Sequence, residues 1–170
     1  MKCSYKFCSM CGGKLRAKNG NLNCVSCSFV NYRNARPTVT AIILHKNKIL
    51  LTKRNNLPFL GWWDLPGGFV DRGESPKNAI AREMREELGM AIKIKKLLGI
   101  YPGIYPSSIE PFHILSVVYM VEPLTKEKEI GVMDKKELKG FKWFEKKELP
   151  SRIAFDSNQN VIRDFKKIWK

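Results

Sequence analysis

The sequence predicts an α/β protein with a small metal-binding module ahead of its main domain. Three observations carry this prediction. Segments with strand and helix patterns alternate over most of the chain, as expected for a sheet packed between helices. Two helical segments carry an apolar stripe that can pack on such a sheet. Four cysteines in two pairs stand near the N-terminus, and 170 residues suffice for one domain and a small appendage.

The cysteines predict a structural zinc site. They form two Cys-x2-Cys pairs separated by twelve residues: Cys8, Cys11, Cys24 and Cys27. Four thiolates at this spacing match the tetrahedral coordination of structural Zn2+ and leave no position open for catalysis. Zinc is expected to supply the folding energy, because so small a module lacks its own core. We expect a zinc ribbon over residues 1–35 and the main domain over residues 36–170. Cys3 is left over and is expected to be a free thiol, with a role as a substitute zinc ligand as the alternative.

The main domain opens with a predicted β-hairpin. Thr38 to Leu44 is a β-branched run, four turn residues follow, and Ile49 to Thr52 returns as the second strand. Residues 55–63 contain a proline and a glycine and are expected to form an irregular loop. Trp62 and Trp63 in that loop could stack on a base, although core packing is the more common role of a tryptophan.

A helix with clear end signals is predicted between Ser75 and Gly89. Ser75 is suited to cap its N-terminus, Pro76 suits the first turn, and Gly89 suits a left-handed residue after the last turn. An apolar stripe with a spacing of four residues predicts the buried face: Ile80, Met84 and Leu88.

The same helix carries an acidic face. Glu83, Glu86 and Glu87 share it, and like charges at this spacing repel each other. Arg82 can pair with Glu86 one turn on, which still leaves three carboxylates close together. By itself such a helix is more typical of a solvated, salt-bridged surface. A hard divalent cation such as Mg2+ is the other explanation, because it takes oxygen ligands and keeps positions for water and substrate phosphates.

The remaining segments complete the predicted sheet and its second helix. Strands are expected over three segments: residues 92–97, 112–121 and 141–144. Residues 101–108 are turn-rich and aromatic and are expected to be a functional loop. Residues 122–137 are expected to be a flexible charged loop. A final amphipathic helix is predicted from Asn158 to Trp169, with four apolar residues on its buried side: Val161, Ile162, Phe165 and Ile168.

The loop before the first helix and the helix itself form one longer pattern. Gly67 and Gly68 permit the backbone to approach a ligand closely. Gly68, five residues, Glu74, seven residues and the run from Arg82 to Met90 resemble the Nudix box of the Nudix hydrolases at every defining position. The resemblance implies an α/β/α sandwich with a mixed sheet. It also implies a Mg2+- or Mn2+-dependent hydrolase of a nucleoside diphosphate linked to another group.

The resemblance further implies the roles of the site residues. The metal ligands would be three glutamates and one backbone carbonyl: Glu83, Glu86, Glu87 and Gly68. Arg82 would orient the carboxylates, and Glu74 would brace the loop or bind metal indirectly. Glu137 is expected to be a further acidic ligand from a later loop, with Glu127 and Glu129 as competing candidates.

The zinc ribbon indicates a branch of the family. A ribbon directly ahead of a Nudix domain resembles the NADH pyrophosphatase group, which hydrolyses NAD(H)-type dinucleotides and can act on NAD-capped RNA. Phe69 matches the base-stacking position of that group. The group's Ser-Gln-Pro-Trp-Pro-Phe-Pro segment is absent, since residues 101–109 read YPGIYPSSI. ADP-ribose or another nucleoside diphosphate derivative is therefore an equal expectation, and dimers are common in the family. Alternatives are an RNA-binding or RNA-processing protein, a non-catalytic Nudix-fold binding module and, more weakly, an isopentenyl-diphosphate isomerase.

Charge and composition bear on partners and compartment. The chain has 31 Lys and Arg against 16 Asp and Glu, a net charge of +15, and no acidic residue before Asp64. Such a field attracts polyanions, either a dinucleotide or RNA, but it equally suits a role in solubility. No segment is apolar for long enough to span a bilayer and no signal peptide is evident, so a cytoplasmic protein is expected.

Overall fold

The computed structural model describes residues 5–169, so Cys3 lies outside the described residues. Its N-terminal part is a small antiparallel sheet in the order β1-β2-β3. The strands are β1 (Leu15–Lys18), β2 (Asn21–Cys24) and β3 (Val30–Asn31). Leu22 is buried in this small sheet, whereas Phe7, Met10 and Tyr32 are exposed. The residues 5–33 are called the ribbon below.

The rest of the chain forms a mixed sheet of seven strands. They are β4 (Arg36–His45), β5 (Lys48–Arg54), β6 (Trp63–Asp64), β7 (Gly67–Phe69), β8 (Ile92–Tyr105), β9 (Phe112–Pro123) and β10 (Leu138–Phe144). The main order is β10-β5-β4-β9-β8, with β6 beside β5 and β7 beside β4. β4 and β9 run parallel, and the other neighbours are antiparallel.

The sheet divides beyond the hairpin that joins β4 and β5. These strands pair only where Leu44 meets Ile49 and His45 meets Lys48. Further along, β4 pairs with β7 and β5 pairs with β6, so two short strands replace the direct contact. The division places β7 beside the first helix, where the Gly67 N–H donates to Glu87 Oε2 at 3.2 Å.

Two helices cover opposite faces of the sheet, as expected for an α/β/α sandwich. They are α1 (Pro76–Leu88) and α2 (Asp156–Ile168). Side chains of β4 alternate between the two layers because successive residues of a strand face opposite ways. Val39, Ala41 and Ile43 pack in the cluster that contains α1, whereas Ile42 packs in the cluster that contains α2. Among residues 5–169, no helix is long and apolar enough to cross a membrane.

The end signals and the apolar stripe of α1 are confirmed. The Ser75 hydroxyl accepts a hydrogen bond from the Asn78 backbone N–H at 3.2 Å, and Gly89 has a φ of 62°. The predicted stripe is fully buried: Ile80, Met84 and Leu88. Local sequence therefore determines where this helix begins and ends and which face it buries.

Two predictions for the later segments are wrong. Residues 101–105 belong to β8, so the connection to β9 is shorter than the expected loop. β8 is an edge strand, where a proline such as Pro102 is tolerated because one side of the strand needs no backbone donor. The second concerns the buried side of α2. Ile168, which was expected there, is half exposed, and Trp169 is buried at the end of the helix instead. The segment 122–137 also contains a 3-10 turn, Glu127–Glu129, and the buried Ile130.

Candidate active site

A cavity of about 360 Å³ lies where α1, β4, β7 and the loop before β10 meet. Most of the site residues expected from the sequence line this cavity: Gly67, Gly68, Phe69, Arg82, Glu83, Glu86, Glu87 and Glu137. Glu74 lies behind it and contacts Arg82. Residues separated by up to seventy positions in the chain are thus brought to one concave surface.

The two glycines of β7 lie in close contact with neighbouring elements. Gly67 has a φ of 144°, and a Cβ atom there would collide with the backbone carbonyl of Val39. A Cβ atom on Gly68 would collide with the carboxylate of Glu83. Glycine at position 67 therefore lets β7 lie against the backbone of β4, and a side chain at position 68 would displace the Glu83 carboxylate.

Arg82 donates hydrogen bonds to carboxylates of the acidic face and to the loop before the helix. Its Nη1 donates to Glu83 Oε1 at 2.8 Å and to Glu86 Oε2 at 3.0 Å, and its Nη2 donates to the Phe69 carbonyl at 3.0 Å. Its Nε and Nη2 also donate to the two carboxylate oxygens of Glu74, at 3.1 and 3.0 Å. These bonds lower the pKa of Glu74, and that carboxylate also accepts from the Asp71 backbone N–H at 3.2 Å. Arg82 and Glu74 together fix the loop and two carboxylates of the helix.

The acidic face includes two carboxylates that are removed from solvent. Burial raises the pKa of Glu87 well above its ordinary value, and Glu87 accepts one hydrogen bond from the Gly67 N–H at 3.2 Å. Burial also raises the pKa of Glu83. Carboxylate and carbonyl oxygens are the donors that hard divalent cations prefer. The donor set therefore fits Mg2+ or Mn2+, which would compensate the negative charge gathered there.

Glu137 is held in the cavity by its loop. Its backbone N–H donates to Asp134 Oδ1 at 3.2 Å, and its carbonyl accepts from the Asn55 N–H at 2.6 Å. The start of the loop docks on the end of α1, where the Met133 N–H donates to the Glu87 carbonyl at 2.9 Å. The competing glutamates lie elsewhere. Glu127 pairs with Lys46 at 3.0 Å, and neither it nor Glu129 is among the described residues that line the cavity.

Aromatic rings form one wall of the cavity. Phe69 lies 5.7 Å from Tyr105 and 6.1 Å from Phe112, and Tyr105 stacks on Phe155 at 5.4 Å. Phe69 keeps 39% of its surface exposed, so its ring is available to a planar ligand. Trp63 packs on Phe144 at 4.9 Å, which agrees with the structural role weighed for the tryptophans.

A buried polar cluster at the base of the cavity has no counterpart among the sequence predictions. Asp64 accepts from Arg54 Nη1 at 3.1 Å, from Asn158 Nδ2 at 2.7 Å and from the Leu65 N–H at 2.9 Å. Burial raises the pKa of Asp64 to about 6 in spite of the Arg54 cation. The one signal available in the sequence was that Asp64 is the first acidic residue of the chain.

The four cysteines of the two pairs come together in the ribbon. Their sulfur atoms all lie within 4.8 Å of one another, and three pairs are 3.5 to 3.8 Å apart. A zinc ion with four Zn–S bonds of about 2.3 Å requires sulfur separations of about 3.8 Å. The Met10 N–H points to Cys8 Sγ at 3.3 Å and the Ser26 N–H to Cys24 Sγ at 3.4 Å, which favours thiolates. The cluster fits a four-thiolate zinc site.

Comparison with known proteins gives relatives of two kinds. An ADP-ribose pyrophosphatase of Methanocaldococcus jannaschii is 37% identical over 139 residues, which cover 82% of this chain and 77% of that protein. A NAD-capped RNA hydrolase NudC of Vibrio parahaemolyticus is 28% identical over 155 residues, which cover 86% of this chain. The chain spans only 54% of the length of that NudC protein.

A solved structure and a family model describe the same domain. The crystal structure of a NUDIX hydrolase from Nitrosomonas europaea superposes with a TM-score of 0.75 at 28% identity, and the match covers 96% of this chain and 91% of that one. The family model of the NUDIX domain matches residues 34–165, which is most of the chain. This chain therefore belongs to the Nudix hydrolase family.

Proposed function

We propose that the protein hydrolyses the diphosphate bridge of ADP-ribose or an NAD(H)-type dinucleotide and releases a nucleoside monophosphate. The observation that carries the proposal is the convergence of four glutamates and an aromatic wall on one cavity. Carboxylates suit the metal that a diphosphate needs, and aromatic rings suit a base. The similarity to an ADP-ribose pyrophosphatase supports the choice of substrate class.

Each site residue predicted from the sequence has a proposed role. The metal ligands are the four glutamates and one backbone carbonyl: Glu83, Glu86, Glu87, Glu137 and Gly68. Bound Mg2+ or Mn2+ would neutralise the diphosphate and make a coordinated water more acidic. Arg82 orients Glu83 and Glu86 through the hydrogen bonds at 2.8 and 3.0 Å, and Glu74 fixes the guanidinium from behind. Phe69 stacks on the base, and Gly67 keeps the backbone close to the substrate.

The ribbon and the main domain have separate proposed roles. Residues 1–35 form a zinc ribbon whose Zn2+ is structural, and residues 36–170 form the hydrolase domain. Clustered thiolates that hold zinc are typical of a reducing compartment, so a cytoplasmic location is part of the proposal. A homodimer is proposed from the family resemblance alone.

A second candidate substrate is the 5′ end of an NAD-capped RNA. Two observations favour it: the similarity to NudC and the absence of any acidic residue before Asp64. The same diphosphate bridge would be cut in both cases, and the RNA chain would extend out of the cavity.

Turnover of a substrate panel tests the proposed function. ADP-ribose, NADH, NAD+ and an NAD-capped RNA are incubated with Mg2+ or Mn2+, and monophosphate release is measured as kcat/KM. Glu86→Gln keeps the shape of the side chain and removes a metal ligand, so we expect kcat to fall by about 100-fold or more. Glu129→Gln, an exposed glutamate outside the cavity, is the control and should retain activity. Tight nucleotide binding without turnover in the wild type would instead favour the non-catalytic module.

A further inference from the structure

The exposed face of the ribbon strand β1 has a regular pattern of cations. From Lys14 to Lys18 the chain is extended, and the basic residues occupy alternate positions: Lys14, Arg16 and Lys18. Alternate residues of a strand face the same way, so the three cations lie on one side at intervals of about 6.6 Å. Phe7 is the bridge partner of Lys14 and shares this side, with 62% of its surface exposed.

These cations have no anionic partner among the residues that the structure describes. Within residues 5–169, Lys14, Arg16 and Lys18 form no ion pair, whereas Lys46, Lys48 and Lys95 each pair with a glutamate at 3.0 Å. The ribbon contains five basic and no acidic residues. Four thiolates and Zn2+ would carry two net negative charges, so the ribbon stays positive with the metal bound. An unneutralised row of cations next to an exposed aromatic ring is suited to a polyanion with bases.

A path of contacts and one short stretch of backbone leads from this face to the candidate active site. Asn21 lies opposite Lys18 in the small sheet, and its Oδ1 accepts from the Arg33 backbone N–H at 3.1 Å. Three residues further on, the Arg36 guanidinium lies over the Phe112 ring at 3.9 Å. Phe112 is 6.1 Å from Phe69 in the cavity wall. The connection between the two sheets thus lies beside Phe112, a neighbour of the cavity residue Phe69.

We propose that the β1 face of the ribbon binds the sugar-phosphate backbone of single-stranded RNA. Lys14, Arg16 and Lys18 contact successive phosphates, and Phe7 stacks on a base. The 5′-terminal dinucleotide of the same RNA occupies the cavity, and the chain leaves it past Phe69 and Arg36. This inference rests on the proposed function for the position of the 5′ end, but binding of the RNA backbone requires no hydrolysis.

Binding of an uncapped RNA separates the two proposals. Fluorescence anisotropy gives the Kd of a labelled 5′-monophosphate oligoribonucleotide at several salt concentrations for the zinc-loaded protein. The test variant is Lys14→Gln/Arg16→Gln/Lys18→Gln. Its matched control, Lys128→Gln/Lys147→Gln/Lys166→Gln, removes the same charge from exposed positions outside the ribbon. We expect the slope of log Kd against log salt to fall by about 2 in the test variant only, because each phosphate contact on a single strand contributes about 0.7.

Further variants and measurements test whether charge, the aromatic ring or loss of folding causes the change in RNA binding. Lys14→Arg/Arg16→Lys/Lys18→Arg should restore binding, and Phe7→Leu should weaken it without changing the salt slope. Zinc content checks that each variant keeps its ribbon. ADP-ribose turnover should be the same in all of them. Equal salt slopes in the test and control variants would overturn the proposal, as would wild-type binding to phosphatidylserine vesicles but not to RNA. Absence of turnover of ADP-ribose, NADH and NAD+ by the wild type would reject the proposed function while leaving the RNA-binding result intact.

Discussion

Asp64 shows how burial and hydrogen bonding set the properties of one carboxylate. It lies between a cation, Arg54, and an amide, Asn158, and it is buried. Arg54 also donates to the Pro58 carbonyl at 2.8 Å and to Asn56 Oδ1 at 2.8 Å. Asp64 therefore connects the loop after β5 with the start of α2 beneath the cavity.

The raised pKa of Asp64 predicts a specific pH dependence of stability. A folded-state pKa of about 6, above the ordinary value of 3.8, means that the folded protein binds this proton more tightly than the unfolded chain does. The stabilising contribution of the protonated group is complete below about pH 4 and is lost as the pH rises through about 6. Between about pH 4 and pH 8, the free energy of unfolding of the wild type should fall by about 2 kcal/mol relative to that of Asp64→Asn, which cannot titrate.

Urea unfolding of both proteins across this pH range, with EDTA present to exclude metals, gives the difference. Parallel stability curves would contradict the prediction.

The sequence could not indicate this cluster, because its partners Asp64 and Asn158 stand 94 positions apart and follow no periodic pattern. The Nudix-box residues were predictable because their spacing is local to one loop and one helix.

At the scale of elements, local sequence signals predicted the ends of an element correctly where contacts between near neighbours determine those ends. Ser75 and Gly89 bracket α1 as predicted because a cap is a contact between near neighbours. The turn residues in 101–105 misled because a strand's tolerance for proline depends on its place in the sheet. Only the topology shows that β8 is an edge strand.

The loop that carries Glu137 depends on a side chain of another element. Asn55, directly after β5, donates from Nδ2 to the Lys135 carbonyl at 2.7 Å. We predict that Asn55→Ala loosens this loop and weakens Mn2+ binding by about tenfold, the size of effect seen when residues that orient metal ligands are removed. Electron paramagnetic resonance of free Mn2+ measures the affinity directly.

Two comparisons identify the route of this effect. Asn78→Ala removes an exposed asparagine of α1 and should leave the affinity unchanged. In a Glu137→Gln background, Asn55→Ala should have little further effect, since its contribution passes through Glu137. An equal loss of affinity in both backgrounds would show that Asn55 acts by another path.

At the scale of the whole molecule, the two sheets are stabilised in different ways. Both large hydrophobic clusters lie in the main domain, and none of their buried members precedes Val39. The ribbon buries few apolar side chains, chiefly Cys8 and Leu22. The zinc pattern of the sequence predicted this difference because thiolate–metal bonds replace a core in a small module. The pairing of β4 with β9, by contrast, joins segments more than seventy positions apart and had no local signal.

This asymmetry predicts that zinc removal unfolds the ribbon alone. Chelation would remove the proposed Zn2+, and with it the main source of the ribbon's folding energy, while the clusters around α1 and α2 would keep their contacts. Hydrogen exchange followed by mass spectrometry should show loss of protection in β1, β2 and β3 and unchanged protection in β4, β5 and β9. RNA binding should disappear, and ADP-ribose turnover, measured after dialysis into Mg2+, should persist. Loss of protection in β4 and β9 as well would mean that the ribbon and the larger sheet unfold as one cooperative unit, so that the proposed boundary at residue 35 would not separate independent domains.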